Sequence, residues 1–356
     1  ATLLVRAFEG PQGGFVWLAN FATYVGTPAL LAAAWNSLWT AGLTALIVVP
    51  LAFTYAFALT RACIPAKPVF RAVMMLPLLA PSLLPALALI YLFGNQGMLK
   101  WMLAGGSIYG PTGIIVAQVF TCFPAAALIL AVALSTADAR LYEAAAALKA
   151  SRLRIFWTVT LPGARYGLVS AGVVVFTLVM TDFGIPKVIG GQFPVLATDV
   201  YKQVVGLQDF NMGAVVGLVL LAPAVGAFLL DRWATRQRAG TLSGRAVPLR
   251  PVPRQQRDLP LFGFCALAAG LMLGIVGVAV WGSLIRFWPY NLSLTLDNYD
   301  FSRFDAAGWA SVWLSVRMAA FVALAGTVIV FLIAYVLERG RLEGALPGMA
   351  RFAATV

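Results

Sequence analysis

Residues 112–134 read TGIIVAQVFTCFPAAALILAVAL, and this stretch decides what kind of fold the chain can adopt. A helix needs about 20 predominantly apolar residues to cross a bilayer, and this stretch supplies them. Comparable stretches recur along the chain, so we expect an all-α, polytopic transmembrane helical bundle. Seven spans are predicted, at 36–60, 71–94, 112–134, 167–188, 212–231, 259–283 and 312–337.

The composition agrees with a membrane protein and excludes several other classes. Of the 356 residues, 61% are hydrophobic and 11% are charged, whereas soluble domains carry about 25% charged residues. A soluble enzyme, a disordered chain and a disulfide scaffold are therefore excluded. The chain has no histidine and its three cysteines lie far apart, so we expect no metal site and no catalytic residues.

The 25 basic residues are distributed unevenly between the predicted loops. Eighteen lie in loops 61–71, 135–166, 232–258 and 338–351, and six lie in the segments on the opposite side. Lys and Arg concentrate in the cytoplasmic loops of membrane proteins, so the first group is predicted to face the cytoplasm. The net charge of +12 is thus a signal of topology and gives no reason to expect nucleic acid as a partner.

Two parts of the chain resemble each other. Residues 35–61 read WNSLWTAGLTALIVVPLAFTYAFALTR, and residues 313–339 read WLSVRMAAFVALAGTVIVFLIAYVLER. Trp35 then matches Trp313, and Arg61 matches Arg339. A chance match of two apolar helices is the alternative to a parallel duplication. Duplication predicts a fragment of a longer protein: a first half at 1–231 without most of its first span, a basic, proline-rich cytoplasmic linker at 232–258, and the truncated start of a second half at 259–356.

A short helix is predicted within the cytoplasmic loop 135–166. Ser135, Thr136 or Asp138 can cap its start, and the alanine-rich run that begins at Glu143 has high helix propensity. Pro162 is expected to end or bend the chain. Because an isolated helix this short is marginal in water, its place outside the membrane suggests that it docks on a partner.

This loop resembles the EAA loop of binding-protein-dependent ABC importer permeases. The matching residues, at the spacing of that family, are Glu143, Ala144, Ala145, Leu161 and Pro162. Lys149 stands where the family has glycine. Either the tight turn that a glycine would give is altered, or Lys149 stays helical and the turn moves to Ala150 and Ser151.

The resemblance implies a duplicated type I ABC importer permease fold, in which this loop is a coupling helix seated in a groove on a separate ATP-binding subunit. Glu143 would lie at the docking surface, and Leu161 and Pro162 would aim the next span. ATP and Mg would bind the partner, because this chain has no G-x-x-x-x-G-K-[ST] phosphate loop. No cofactor and no enzyme activity are expected here, and a periplasmic or surface-tethered binding protein would deliver the solute.

The resemblance also indicates a solute. The runs 76–82, 181–186 and 193–198 are similar to the fused double permeases of ferric-iron and 2-aminoethylphosphonate importers, and residues 83–98 are most similar to the latter group. The implied solute is 2-aminoethylphosphonate, with ferric iron as the alternative. An ion-coupled secondary transporter is the alternative from another class, but it leaves loop 135–166 unexplained.

Several residues inside the predicted spans are candidates for the translocation path. Pro77, Pro81 and Pro85 recur every four residues, so they are expected to line one face of a kinked or changing helix at 71–94. Asp182 and Arg317 are charged groups near the outer ends of their spans. Each either lines the path or gate, where Arg317 would attract an anionic group, or extends to the nearby outer surface.

Overall fold

The computed structural model describes residues 2–10, 13–236, 247, 249, 251–303 and 306–339. It is built almost entirely of helices. These are α1 (Thr2–Ala7), α2 (Ala19–Gly26), α3 (Pro28–Arg61), α4 (Lys67–Leu79), α5 (Leu83–Phe93), α6 (Pro111–Ser135), α7 (Ala139–Ala147), α8 (Arg152–Ile155), α9 (Leu161–Thr181), α10 (Gly184–Ile189), α11 (Leu196–Tyr201), α12 (Phe210–Arg236), α13 (Gln255–Leu284) and α14 (Trp309–Arg339).

Short irregular helices and one hairpin complete the described structure. The 3₁₀ turns are Lys100–Leu103, Asp297–Tyr299 and Phe301–Arg303, and the π-helical turns are Phe156–Thr160 and Lys202–Gly206. The strands β1 (Ile285–Phe287) and β2 (Asn291–Leu294) pair antiparallel, with Ile285 opposite Leu294.

Within the described residues, six helices are long and apolar enough to cross a membrane. They are Pro28–Arg61, Pro111–Ser135, Arg152–Thr181, Phe210–Leu230, Gln255–Leu284 and Trp309–Tyr335. The pair α4 and α5 makes a seventh if it is taken as one broken span. The predicted polytopic bundle is confirmed, and both copies of the sequence repeat form one long helix each, α3 and α14.

The chain divides into two compact units, Ala1–Gly282 and Ser283–Val356. The first unit has a core in which α3, α6, α9 and α12 pack side by side. Alanines such as Ala41, Ala52 and Ala126 are fully buried there, and small side chains let helix backbones approach closely in membranes.

The predicted span 71–94 is not one continuous helix. It is divided into α4 and α5, which are bent by 99° at Ala80–Ser82. Pro81 explains the break, because a proline has no N–H to donate and pushes the preceding residue out of the helical region; Ala80 is extended, at φ −87° and ψ 138°. α5 and α10 then share a second, smaller core that includes Leu89, Ile114 and Ile185.

The predicted span 167–188 is also shifted in position. Its helix runs from Arg152 through a π-helical turn to Thr181, and Asp182 ends it in an extended conformation, at φ −72° and ψ 123°. Residues 184–189 form the separate helix α10. The first unit therefore has two breaks, one between α4 and α5 and one after α9.

The second unit contains the hairpin and α14. Arg286 and Arg303 both approach the Asp297 carboxylate, at 3.4 and 3.9 Å. The apolar side chains of α14 are largely exposed within the unit. Of the predicted linker, residues 232–236 extend α12 and residues 255–258 begin α13, whereas residues 237–246, 248 and 250 lie outside the described structure. So does the end of the predicted second half, residues 340–356.

Candidate functional site

The predicted cytoplasmic helix is present as α7 and lies between α6 and α9 in the chain. Asp138 caps it: the Asp138 carboxylate accepts a hydrogen bond from the Arg140 amide at 3.1 Å, which satisfies one of the unpaired amides at the helix start. Ser135 and Thr136, the other two capping candidates, instead bond back to carbonyls of α6.

The end of α7 is a tight turn centred on Lys149. Lys149 adopts φ 52°, in the left-handed region. Its amide donates to Ala146 at 2.9 Å, and the Ala150 amide donates to Ala145 at 3.0 Å, which is the pattern of a Schellman motif. Of the two alternatives for Lys149, the one in which it stays helical and the turn moves to Ala150 and Ser151 is wrong. The lysine makes the turn that glycine would make, at a cost of about 1 kcal/mol.

The surface of this segment is apolar and exposed. Leu141, Leu148, Leu153 and Trp157 are 59%, 83%, 69% and 59% exposed, and Glu143 and Ala144 lie exposed beside them. Glu143 forms no ion pair with any described residue. Exposed apolar groups beside charged ones in a predicted cytoplasmic loop are typical of an interaction surface. We call Leu141, Glu143, Leu148, Leu153 and Trp157 the α7–α8 surface.

The opposite face of α7 is attached to the spans. The Tyr142 hydroxyl bonds to Thr160 Oγ1 at 3.2 Å, and the Arg61 guanidinium lies over the Tyr142 ring, 4.9 Å from its centroid. Phe156 packs edge-on against Phe53 of α3, at 6.1 Å between centroids. Sequence reasoning does not single out Tyr142 and treats Arg61 as a loop charge. The match of Arg61 to Arg339 is the one signal in the sequence that points to Arg61.

Leu161 and Pro162 do not end the helix. Pro162 is the second residue of α9, and the segment from Arg152 to Thr181 continues through it. The π-helical turn Phe156–Thr160 lies directly before it, and the Leu161 amide bonds to the Phe156 carbonyl in that wider turn. A proline ring clashes with the carbonyl four residues earlier in a regular helix, and a widened turn relieves that clash. Of the two expected effects of Pro162, an end of the helix is wrong, because the helix continues through it.

Asp182 connects the two helix breaks of the first unit. Its Oδ2 atom accepts hydrogen bonds from Gln118 Nε2 at 2.8 Å and from the Ile185 amide at 3.0 Å. The Ser82 hydroxyl and the Gly184 amide also donate to this carboxylate. Asp182 thus points into the protein and does not extend to the outer surface. It caps α10 and holds α10 against α6 and the break before α5.

The three prolines do not line one face of a helix, and that expectation is wrong. Pro77 lies inside α4 and Pro85 inside α5, both buried, whereas Pro81 is exposed in the break between them. The 99° bend places the two helices in different directions, so the four-residue spacing no longer describes a shared face.

Arg317 lies on α14 in the second unit. Its side chain is exposed, and its guanidinium lies over the Trp313 ring, 5.4 Å from the centroid, one turn earlier on the same helix. In the described part of the chain, no three His, Cys, Asp or Glu side chains come together in a way that could hold a metal ion.

The first unit is thus a bundle of membrane-length helices with a break between α4 and α5, and with the capped, exposed helix α7 between α6 and α9. The chain belongs to the family of binding-protein-dependent transport system inner membrane components, whose model matches residues 64–239. That range runs from the start of α4 through α7 to α12. The chain has the type I importer permease fold and is a multi-pass inner-membrane protein.

Individual curated relatives of the chain are also transport system permease proteins. The chain is 30% identical over 229 residues to the molybdenum transport system permease protein ModB of Mycobacterium tuberculosis, covering 62% of this chain and 85% of that protein. It is 25% identical over 325 residues to the ferric transport system permease protein FbpB of Actinobacillus pleuropneumoniae, covering 87% of this chain and 47% of that protein. The chain spans about half the length of the first curated relatives it matches.

Solved structures show the same fold. A bacterial alginate ABC transporter, solved with an alginate pentasaccharide-bound periplasmic protein, matches with a TM-score of 0.51 and 16% sequence identity. The match covers 65% of this chain and 85% of the other.

Proposed function

We propose that this chain forms part of the translocation path of an ATP-driven importer. α7 is the element through which movement of the ATPase subunit would reach the spans. The observation that carries the proposal is the α7–α8 surface, which is apolar and exposed. Its helix, α7, is capped at both ends, and the opposite face of α7 is attached to the spans. In the family, the corresponding loop meets the ATPase. ATP and Mg are assigned to that separate subunit, and a solute-binding protein is assigned to the outer side.

The predicted orientation supports this arrangement. α7 and α8 lie in the predicted cytoplasmic loop 135–166, whereas the breaks at Pro81 and Asp182 lie toward the other ends of their spans. Docking at α7 would act on the inner ends of α3, α6 and α9. The short helices α5 and α10, which follow these breaks, would lie on the side of the proposed binding protein.

The chain is further proposed to be the first half, the linker and the start of the second half of a fused permease. The match of residues 35–61 to residues 313–339, and the alignment to a relative of about twice the length, support that division.

For the solute, we propose ferric iron ahead of 2-aminoethylphosphonate. The alignment with the ferric permease runs over 87% of this chain, whereas the molybdenum permease covers 62%. The similarity of residues 83–98 to 2-aminoethylphosphonate permeases remains the argument for the second solute. Iron would pass as cargo, and no resident metal is assigned to this chain.

The docking proposal is tested by placing a charge on the α7–α8 surface. The full-length protein is reconstituted in nanodiscs with a candidate ATPase subunit, and co-purification and ATP hydrolysis are measured for wild type and for Leu148→Asp. Leu207→Asp is the matched control, because Leu207 is also exposed, at 70%, but follows α11 at the predicted outer end. We expect Leu148→Asp to abolish association and Leu207→Asp to retain it.

The solute is tested in the same system with binding proteins loaded with ferric iron or with 2-aminoethylphosphonate. Stimulation of ATP hydrolysis by the iron-loaded protein alone supports the proposed solute, and stimulation by the phosphonate-loaded protein alone reverses the order. Transport that follows an ion gradient without any ATPase would overturn the importer function and favour a secondary transporter.

A further inference from the structure

Arg61 is a buried cation at the inner end of α3. Its side chain is 4% exposed, and no described carboxylate lies within 4.0 Å of it. Its Nη2 atom donates a hydrogen bond to the Leu134 carbonyl at 2.6 Å, and its Nε–H has no partner among the described atoms. A cation in such a place is costly unless something compensates for lost water.

Two features of the surroundings compensate. Leu134 lies in the last turn of α6, where carbonyl oxygens have no intrahelical partner and carry the negative end of the helix dipole. The face of the Tyr142 ring, 4.9 Å from the guanidinium, is negative as well. Arg61 is therefore stabilised by the C-terminal end of α6 and by the Tyr142 ring, and no carboxylate among the described residues pairs with it.

Tyr142 links Arg61 and the end of α6 to a third span, α9. It lies on α7, one residue before Glu143, and its hydroxyl bonds to Thr160 in the turn that leads into α9. Thr160 is buried. The residues Arg61, Leu134, Tyr142 and Thr160, which we call the inner clamp, thus join α7 to α3, α6 and α9.

We propose that Arg61 and Tyr142 are the positioning residues that convert a displacement of α7 into a movement of the inner ends of these spans. This inference rests on the proposed function, in which α7 docks on an ATPase subunit. A purely structural contact at this place would be served as well by an apolar pair, which needs no compensation for buried charge. A guanidinium with an unused donor can instead exchange partners when α7 shifts.

The test distinguishes a loss of coupling between ATP hydrolysis and solute uptake from a loss of assembly with the ATPase subunit. Arg61→Gln, Tyr142→Leu and the double variant are made in the full-length protein and reconstituted in proteoliposomes with the ATPase subunit and loaded binding protein. Co-purification, ATP hydrolysis and solute uptake are measured for each. Arg165→Gln and Tyr166→Leu are the matched controls, because Arg165 also lies over a tyrosine ring, at 4.5 Å, but on the exposed side of α9.

We expect the clamp variants to co-purify with the ATPase and hydrolyse ATP, whereas uptake per ATP falls about tenfold, a typical size for coupling between sites. The double variant should lose no more than either single variant, since residues that act as a unit are not additive. Tyr142→Phe keeps the ring beneath Arg61 but loses the hydroxyl bond to Thr160, so uptake per ATP should fall, by less than in Tyr142→Leu. The controls should keep the wild-type ratio.

An unchanged ratio of uptake to ATP in Arg61→Gln and Tyr142→Leu, or losses that add in the double variant, would overturn the inference. If Arg61→Gln fails to assemble, Arg61→Lys is tested in its place. The lysine keeps the charge but lacks the forked guanidinium that reaches both Leu134 and the Tyr142 ring. A wild-type ratio of uptake to ATP hydrolysed in this variant would contradict the clamp. Failure of the wild type itself to associate with any ATPase would overturn the proposed function, which is a different result.

Discussion

The Oδ2 atom of Asp182 lies 2.8 Å from Nε2 of Gln118, and this hydrogen bond joins the break after α9 to the side of α6. Gln118 is 1% exposed, so its amide has little access to other partners. The two helix breaks of the first unit are thus held together by one carboxylate, which also caps α10.

Removing that carboxylate should loosen α10. Asp182→Ala leaves the Gln118 amide and the Ile185 N–H without their acceptor, and unpaired buried donors cost about 1–3 kcal/mol each. We expect the midpoint of thermal unfolding in detergent to fall by about 5–10 °C, and by less for Asp182→Asn, which keeps an acceptor oxygen. Asp209→Ala removes an exposed cap of α12 and should cost about 1 kcal/mol. An equal effect of the two alanine variants would contradict the role given to Asp182.

Replacing either of two glycines one turn apart on α9 by alanine should change the stability of the protein in opposite directions. A Cβ at Gly167 would overlap Ala133 of α6, whereas a Cβ at Gly163 meets nothing within 4 Å. Gly167→Ala should separate α6 from α9 and cost about 1–3 kcal/mol. Gly163→Ala should be neutral or stabilising by up to about 1 kcal/mol, because alanine favours helix. Thermal unfolding of the two purified variants measures the difference, and a stabilised Gly167→Ala would show that these helices are less closely packed than described.

Lys149→Gly should stabilise the end of α7. Glycine adopts a φ of 52° without the strain that lysine bears, so the free energy of opening of α7 should rise by about 1 kcal/mol. Ala147→Gly, two residues earlier but inside the helix, should lower it by about the same amount. Hydrogen exchange of the α7 amides, followed by mass spectrometry, measures both changes. Faster exchange in Lys149→Gly would mean that the lysine side chain itself supports the turn.

The stability of the outer end should depend on the protonation of Asp199. Burial raises the pKa of this carboxyl above its usual range, although the Lys202 ammonium at 3.4 Å opposes that shift. The folded protein then binds the proton more tightly than the unfolded chain, so stability is lost as pH rises from about 4, the ordinary value, through the raised pKa. Asp199→Asn should lack this loss, as thermal unfolding between pH 4 and 7 would show. A wild type and variant with parallel pH profiles would contradict the shift.

The continuous spans could be predicted because hydropathy and length alone specify them, as in 112–134. α7 could be predicted too, since a capping residue and an alanine run are local signals. The sequence predicts a kink among Pro77, Pro81 and Pro85, but it predicts neither the position of the 99° break nor the loss of their shared face. Which of the three prolines interrupts the helix depends on the packing of α5 against α10. Arg61 and Tyr142 are 81 residues apart in the chain, so only the fold brings them together.

The start of α7 has one more neighbour. The Ala139 amide donates to the Val247 carbonyl at 2.9 Å, and the Val247 amide approaches the Asp138 carboxylate, the cap of the helix, at 3.4 Å. Val247 belongs to the predicted linker, so at this residue the segment contacts α7 as well as connecting parts of the chain. Displacing Val247 would withdraw two hydrogen-bond partners from the first turn of α7, so tension at this residue would reach the proposed docking helix directly.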